Sequence, residues 1–286
     1  MEELRALIGN NTWQIVDHPK DKKIVGCRWV FTIKYQSDGS IDRYKARLVA
    51  QGYSQTYEID YEETFASVAK LNSIRILLSV VVNLDWELFQ LDIKNGFLNG
   101  ELEKEVYMKM SPNFEEGENK GKVCKLNRSL YGLKQSPRAR FKKFSSTLIK
   151  FGYKQGEANH TLFTKHANNG KMVVLIVHVD DIILTGDDTQ AIAELKQRLR
   201  KEFKVKDLGT MKYFLGIEVV RSREGILITQ RKYTPDLLRE TGMLRSKPTY
   251  TPLERNWKYG ITGNDPFVDK GRYQKLVGRL IYLSLT

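Results

Sequence analysis

Two adjacent aspartates, Asp180 and Asp181, interrupt the run 173–186, Val-Val-Leu-Ile-Val-His-Val-Asp-Asp-Ile-Ile-Leu-Thr-Gly. The flanking residues are apolar and β-branched, the pattern of two buried strands joined by a short connection. A carboxylate buried in such a stretch is costly unless it is paired or bound to a cation. Asp-Asp is a common turn dipeptide in its own right. A divalent metal gives a second physical reason for presenting carboxylates at the edge of a sheet. Strand, acidic turn and returning strand together constrain the chain to an antiparallel sheet with apolar surroundings.

The chain has 286 residues, 41% of them hydrophobic, which is enough for a sizeable core. Lys and Arg number 47 against 34 Asp and Glu, a formal net charge of +13 that suits a polyanionic partner such as nucleic acid. Two cysteines, Cys27 and Cys124, are too few for a disulfide framework or a cysteine-based zinc site. His18, His160, His166 and His178 show no ligand-like spacing. These features point to a reduced intracellular compartment. No apolar run reaches membrane-spanning length, so no membrane role is expected, and residues 1–5 do not read as a signal peptide.

Strand and helix signals are interleaved. Residues 2–9 read as a short helix. The 27–35 segment alternates Trp29, Phe31 and Ile33 with Arg28, Thr32 and Lys34, the pattern of a half-buried strand. A turn at 36–40 and a return strand over 44–53 complete a hairpin made basic by Lys34, Arg43, Lys45 and Arg47. Asn72 or Ser73 caps an expected helix carrying Ile74, Leu77, Val81 and Leu84. Strands are expected at 87–93, 106–110, 162–165 and 172–179. Further helices are expected at 137–151, from 188 or 189 to 203, at 235–241 and at 273–284. A second hairpin is expected over 213–220 and 226–229. The hairpins favour an antiparallel α+β sheet over a doubly wound one.

Asp92 closes another apolar strand, Phe89-Gln90-Leu91-Asp92-Ile93. Two acidic sites at strand ends in a basic chain suggest phosphoryl chemistry on two divalent ions. The chain resembles the reverse transcriptase domain of copia-type (pseudovirus) LTR retrotransposons. The segments that carry the resemblance are Asn-Thr-Trp at 11–13, Arg-Tyr-Lys-Ala-Arg-Leu-Val-Ala-Gln-Gly-Tyr at 43–53 and Gln-Leu-Asp-Ile-Lys-Asn-Gly-Phe-Leu-Asn-Gly at 90–100. Others are Leu-Tyr-Gly-Leu-Lys-Gln-Ser-Pro-Arg-Ala at 130–139, Val-Asp-Asp at 179–181, Phe-Leu-Gly-Ile-Glu-Val at 214–219, Gln-Arg-Lys-Tyr at 230–233 and Leu-Val-Gly at 276–278.

The resemblance implies an RNA-directed DNA polymerase with a right-hand fold of fingers, palm and thumb around an antiparallel palm sheet. It implies fingers and palm over 1–230, with fingers mainly at 11–85 and part of 100–150, and palm near 86–100 and 150–222. A thumb or connection, truncated before RNase H, would follow over 231–286. Asp92, Asp180 and Asp181 would be the catalytic triad and, with the Ile93 carbonyl, would hold two Mg²⁺ ions, Mn²⁺ being able to substitute. Phe97 would check the sugar of the incoming nucleotide. Lys45 and Arg47, with Lys34 behind them, would hold its triphosphate, and Tyr131 and Gly132 would pack on nucleotide and template. Phe214, Leu215 and Gly216 would grip the primer, and Lys204 or Lys206 would protonate the leaving pyrophosphate.

Expected partners are an RNA template, a DNA primer and deoxynucleoside triphosphates. RNase H and integrase domains lie outside this chain, and pairing with a second copy is left open. The expected setting is a cytoplasmic virus-like particle with access to the nucleus. Three residues depart from the family pattern: His178 for a tyrosine, Gly96 for an alanine and Arg140 for a tryptophan. The departures at His178 and Arg140 keep one rival reading alive, a relic that only binds nucleic acid; against another, a template-independent nucleotidyltransferase, stand the long basic hairpin and the segment resembling a primer grip.

Overall fold

The structure is a computed structural model that describes residues 2–36, 40–93, 100–111, 119–251 and 269–285. It opens with α1 (Glu2–Gly9), β1 (Trp13–Asp17), β2 (Ile24–Val25), β3 (Cys27–Tyr35) and β4 (Ile41–Ala50). Then come α2 (Leu71–Asn83), β5 (Glu87–Ile93), β6 (Glu101–Lys109), β7 (Lys122–Arg128) and α3 (Ser136–Lys150). The next elements are β8 (Lys154–Gln155), β9 (Leu162–His166), β10 (Met172–His178), β11 (Asp181–Gly186), α4 (Thr189–Phe203) and β12 (Val205–Thr210). Last are β13 (Tyr213–Phe214), β14 (Ile217–Ser222), β15 (Gly225–Thr229), α5 (Tyr233–Glu240) and α6 (Lys270–Leu285). The expected α+β class with antiparallel hairpins is what the chain adopts.

Two compact units divide the chain, 1–210 and 211–286. The boundary expected at 230/231 falls inside the second unit. In the first unit a six-stranded sheet has the order β12-β5-β11-β10-β9-β8. Each neighbouring pair in it is antiparallel. Leu91, Ile93, Leu175, Val177, Ile182 and Leu184 on one face pack with Phe144 and Leu148 of α3 and with Ile192, Leu195, Leu199 and Phe203 of α4. On the other face Val174, Ile176 and Ile183 are also buried, so the central strands read as continuous apolar runs rather than alternating ones.

The helices form where their patterns ask them to. Asp188 caps α4, its side chain accepting a hydrogen bond from the Ala191 N–H at 3.0 Å. Pro137 sits in the first turn of α3, where its missing N–H costs nothing. The expected cap of α2 is corrected. The helix starts at Leu71, and Lys70 at its N-cap makes no side-chain capping bond.

A second sheet, β1-β7-β6-β2, packs with the base of the β3–β4 hairpin around Leu48, Ala50, Met108, Leu126 and Leu130. β1, β7 and β12 carry no clear alternation and were not expected. The β3–β4 hairpin also corrects the half-buried reading. Leu48 and Ala50 are buried at its base, but Phe31 and Tyr44 farther out are about three-quarters exposed (77% and 76%). β4 ends at Ala50, and a 3-10 turn occupies Gly52–Ser54.

The second unit holds the sheet β13-β14-β15 with α5 and α6. Leu215 (φ 49°) and Gly216 (φ 80°) make the turn between β13 and β14, both in left-handed backbone, as a type I′ hairpin requires. Tyr282 of α6 donates its hydroxyl hydrogen to the Leu215 carbonyl, and its ring lies 5.1 Å from that of Tyr233.

Candidate active site

Strand register builds the site. β5 and β11 lie side by side, and Asp92 faces Asp181 directly across them. On the other side of β11, His178 faces Asp181. On the other side of β5, Lys206 faces Asp92. Residues directly opposite in neighbouring strands share a face of the sheet. His178, Asp181, Asp92 and Lys206 therefore form one row across four strands. Asp92 and Asp180, far apart in sequence, are brought together by this pairing.

The acidic turn is tighter than its sequence implied. Val179 and Asp180 alone make the loop, and Asp181 already belongs to the return strand. Val179 sits at φ 53°, in a region where a β-branched residue costs roughly 1–3 kcal/mol. The backbone N–H of Ile93 donates to the Asp180 carbonyl at 2.8 Å, tying the turn to the end of β5. The expected ligand Ile93 is thus beside Asp180.

Burial, the largest influence, raises the Asp180 carboxyl above its usual range, and the charges of Asp92 and Asp181 add to it, while Arg140 pulls the other way. Asp181 is likewise raised, first by burial and then by Asp92, against a hydrogen bond from Gln90. That bond, Gln90 Nε2 to Asp181 Oδ1, is 3.1 Å long. The sequence signal for Gln90 was its place two residues before Asp92, on the same face of β5.

Arg140 is the larger surprise. It stands where the family pattern has a tryptophan. Its Nη1 lies 2.5 Å from Asp180 Oδ1, and the arginine side chain is 8% exposed. Asp180 and Arg47 both bear on the Tyr131 phenol, which is raised by burial first, then by Asp180, and lowered by Arg47. The Arg47 guanidinium stands 5.5 Å from the Tyr131 ring centre. Arg47 and Tyr131 are thus brought to the acidic centre.

The other candidates scatter. Lys34, Arg43, Lys45 and Arg47 share one face of the β3–β4 hairpin through the pairings Lys34–Arg43, Thr32–Lys45 and Val30–Arg47. Burial and the neighbouring Arg47 and Arg43 lower the Lys45 pKa. Gly132 (φ 89°) does make the close approach expected of it, but to the protein's own backbone. A Cβ there would lie 2.1 Å from the Ala50 carbonyl oxygen. Ala50 N–H donates to the Tyr131 carbonyl at 2.7 Å. Phe97 and Gly96 lie outside the described residues. Lys206 is opposite Asp92, whereas Lys204 ends α4 at φ 51°. Phe214, Leu215 and Gly216 belong to the second unit.

A family model described as reverse transcriptase (RNA-dependent DNA polymerase) matches residues 10–255. The chain belongs to this family. It is 43% identical over 286 residues to the retrovirus-related Pol polyprotein from transposon RE1 of Arabidopsis thaliana, covering 99% of this chain and 19% of that protein. It is 39% identical over 289 residues to that from transposon TNT 1-94 of Nicotiana tabacum, covering 98% of this chain and 22% of the relative. The reverse transcriptase domain thus spans about a fifth of the length of these relatives.

The family uses divalent metal ions. The donors of Asp92, Asp180 and Asp181 are carboxylate oxygens, the chemistry a hard cation takes, and their crowding leaves negative charge to be neutralised. In chemistry they fit Mg²⁺. Among the described residues, no three His, Cys, Asp or Glu side chains are gathered tightly enough to hold an ion as they stand.

Proposed function

We propose that this domain extends a primer 3′-hydroxyl with deoxynucleotides on an RNA or DNA template, by two-metal nucleotidyl transfer. The observation that carries the reading is the register that sets Asp92 against Asp181 with Asp180 in the adjoining turn. Asp92 and Asp180, with Asp181 and the Ile93 carbonyl, would hold two Mg²⁺ ions, or Mn²⁺ in their place. When bound, such ions neutralise charge at the reacting phosphate and the departing pyrophosphate. The chain's own cations do the rest. Arg47 and Lys45, with Lys34 farther along the same face, would bind triphosphate oxygens through charge-assisted hydrogen bonds. Lys206, opposite Asp92, is the better placed of the two candidate proton donors. Tyr131 packs beside Arg47, where a base or sugar would lie. Phe97 as the sugar check and 214–216 as the primer grip complete the reading. Residues 11–85 would form most of the fingers and the six-stranded sheet the palm.

The same reading assigns RNase H and integrase to other parts of a Pol polyprotein, and the work to a cytoplasmic virus-like particle with nuclear access. Purified protein with Mg²⁺ or Mn²⁺, oligo-dT and poly-rA should incorporate dTTP. Asp180→Asn should reduce incorporation about a thousandfold, as loss of a transition-state charge contact does. The proposal fails if neither the parent nor His178→Tyr incorporates nucleotide. A second reading, nucleic-acid binding without synthesis, draws on the Arg140 contact to Asp180. Salt-sensitive binding of primer-template with no metal-dependent incorporation would favour it.

A further inference from the structure

Arg140 stands where an amphipathic helix puts core residues. It shares a face of α3 with Phe144, Thr147 and Leu148, all buried. A guanidinium remains charged in any such place and must find an anion. It finds Asp180. Its charge also bears on His178, the residue that precedes the acidic turn. Arg140 reaches the turn from α3, and beside its side chain lies a small crevice lined also by Ile93, Phe144, Val177 and Val179. Asp181 and Asp92 have Gln90 and Lys206 as neighbours in the sheet, but Asp180 sits in the turn and has no opposite residue in the strand register.

We propose that Arg140 is the resident counter-cation of the acidic centre, holding the Asp180 carboxylate itself, so that a divalent ion binds there only by displacing the guanidinium. This inference rests on the polymerase reading, since it takes the three aspartates as the ion's seat. The physical argument is competition for one anion. Asp180 Oδ1 lies within hydrogen-bond distance of Nη1, and a metal approaching that oxygen meets a fixed positive charge. Arg140 is therefore a positioning residue with a cost in metal affinity. It keeps the turn ordered without a metal and weakens the site toward one.

Mn²⁺ binding to the full chain, measured by electron paramagnetic resonance of the free ion, tests this without any turnover. Arg140→Gln should bind Mn²⁺ about tenfold more tightly than the parent, the scale on which groups surrounding metal ligands act. Arg140→Met, closer in volume to the lost stem, should do the same and guards against a glutamine variant that does not fold. In the parent, the Arg140 Nε–Hε resonance should shift on saturation with Mg²⁺, which needs no variant. Equal Mn²⁺ affinity in parent and variants, abolished by Asp92→Asn, would overturn the role of Arg140 and leave the polymerase reading standing. So would an Arg140 resonance unmoved by a bound ion. Absence of any Asp92-dependent Mn²⁺ binding in all of these proteins would sink the polymerase reading and this inference with it.

Discussion

Two hairpins of this domain carry charge in opposite ways. β10–β11 is buried along both strands and concentrates its acids at one turn. β3–β4 is buried only at its base and spreads Lys34, Arg43, Lys45 and Arg47 along one face. In the first, the strands are buried and the carboxylates themselves only partly exposed, and each has a specific neighbour in the protein. Arg140 reaches Asp180, Gln90 reaches Asp181, and Lys206 lies opposite Asp92. In the second, water and salt screen Arg43 and Lys34 on the exposed outer part, whereas the half-buried Lys45 nearer the base feels burial and its like-charged neighbours. A buried acidic hairpin specifies its partners in the fold, whereas an exposed basic one waits for a polyanion.

The sharpest way to break the comparison is at the base of the basic hairpin, where it is closely packed. Gly132→Ala puts a Cβ 2.1 Å from the Ala50 carbonyl oxygen at φ 89°. It should cost about 3 kcal/mol by denaturant unfolding, as a backbone clash added to left-handed strain does. Gly121→Ala, at φ 80° with open space around it, isolates the conformational cost and should lose only about 1 kcal/mol. Equal losses at the two glycines would mean that the contact between residue 132 and β4 does not hold the hairpin base.

The basic face offers a middle-sized test. Arg47→Ala should raise the KM for deoxynucleoside triphosphate about tenfold while changing kcat less, the pattern of a lost binding contact. Lys45→Ala should do the same to a smaller degree, and added salt should shrink both differences. A fall in kcat with KM unchanged in Arg47→Ala would instead tie Arg47 to the acidic centre through Tyr131.

What could be read in the residues follows the same division. Burial writes itself into sequence. The apolar runs around Asp92 and Asp180 marked β5, β10 and β11, and the helical spacing of Ile192, Leu195, Leu199 and Phe203 marked α4. Strands β1, β7 and β12 were illegible because pairing, not alternation, makes them strands. Arg140 was legible as a departure but not as a contact, since the fold alone brings α3 to the turn after β10. Gln90 was hidden for a related reason, and Lys206 stood only as an alternative to Lys204: the register across β11, β5 and β12 is what sets Gln90 beside Asp181 and Lys206 opposite Asp92. Exposure of Phe31 and Tyr44 escaped too, because an alternating strand looks the same whether or not something covers it.

The smallest expected effect separates structure from function at the acidic row. Asp92 and Asp181 face each other, and like charges directly opposite destabilise a sheet. The Asp181 carboxyl is raised by burial, then by Asp92, despite the Gln90 bond. A carboxyl raised on folding favours the native state only while it is protonated. Above the raised value the folded protein carries a charge that the unfolded chain would hold more easily, so stability falls as pH rises from the ordinary carboxylate range through the raised one. Asp181→Asn removes that charge and keeps an oxygen to accept from Gln90. Without added metal it should therefore be more stable than the parent at pH 7–8, by about 1 kcal/mol, the usual scale when a functional site is relieved of strain. The difference should close as pH falls below the ordinary carboxylate range, where both proteins are uncharged at this position. Thermal melts of the two proteins across pH measure it. A gap that is constant with pH would show that Asp181 acts on stability by packing rather than by charge, and would place the acidic row nearer to the screened cations of β3–β4 than its burial implies.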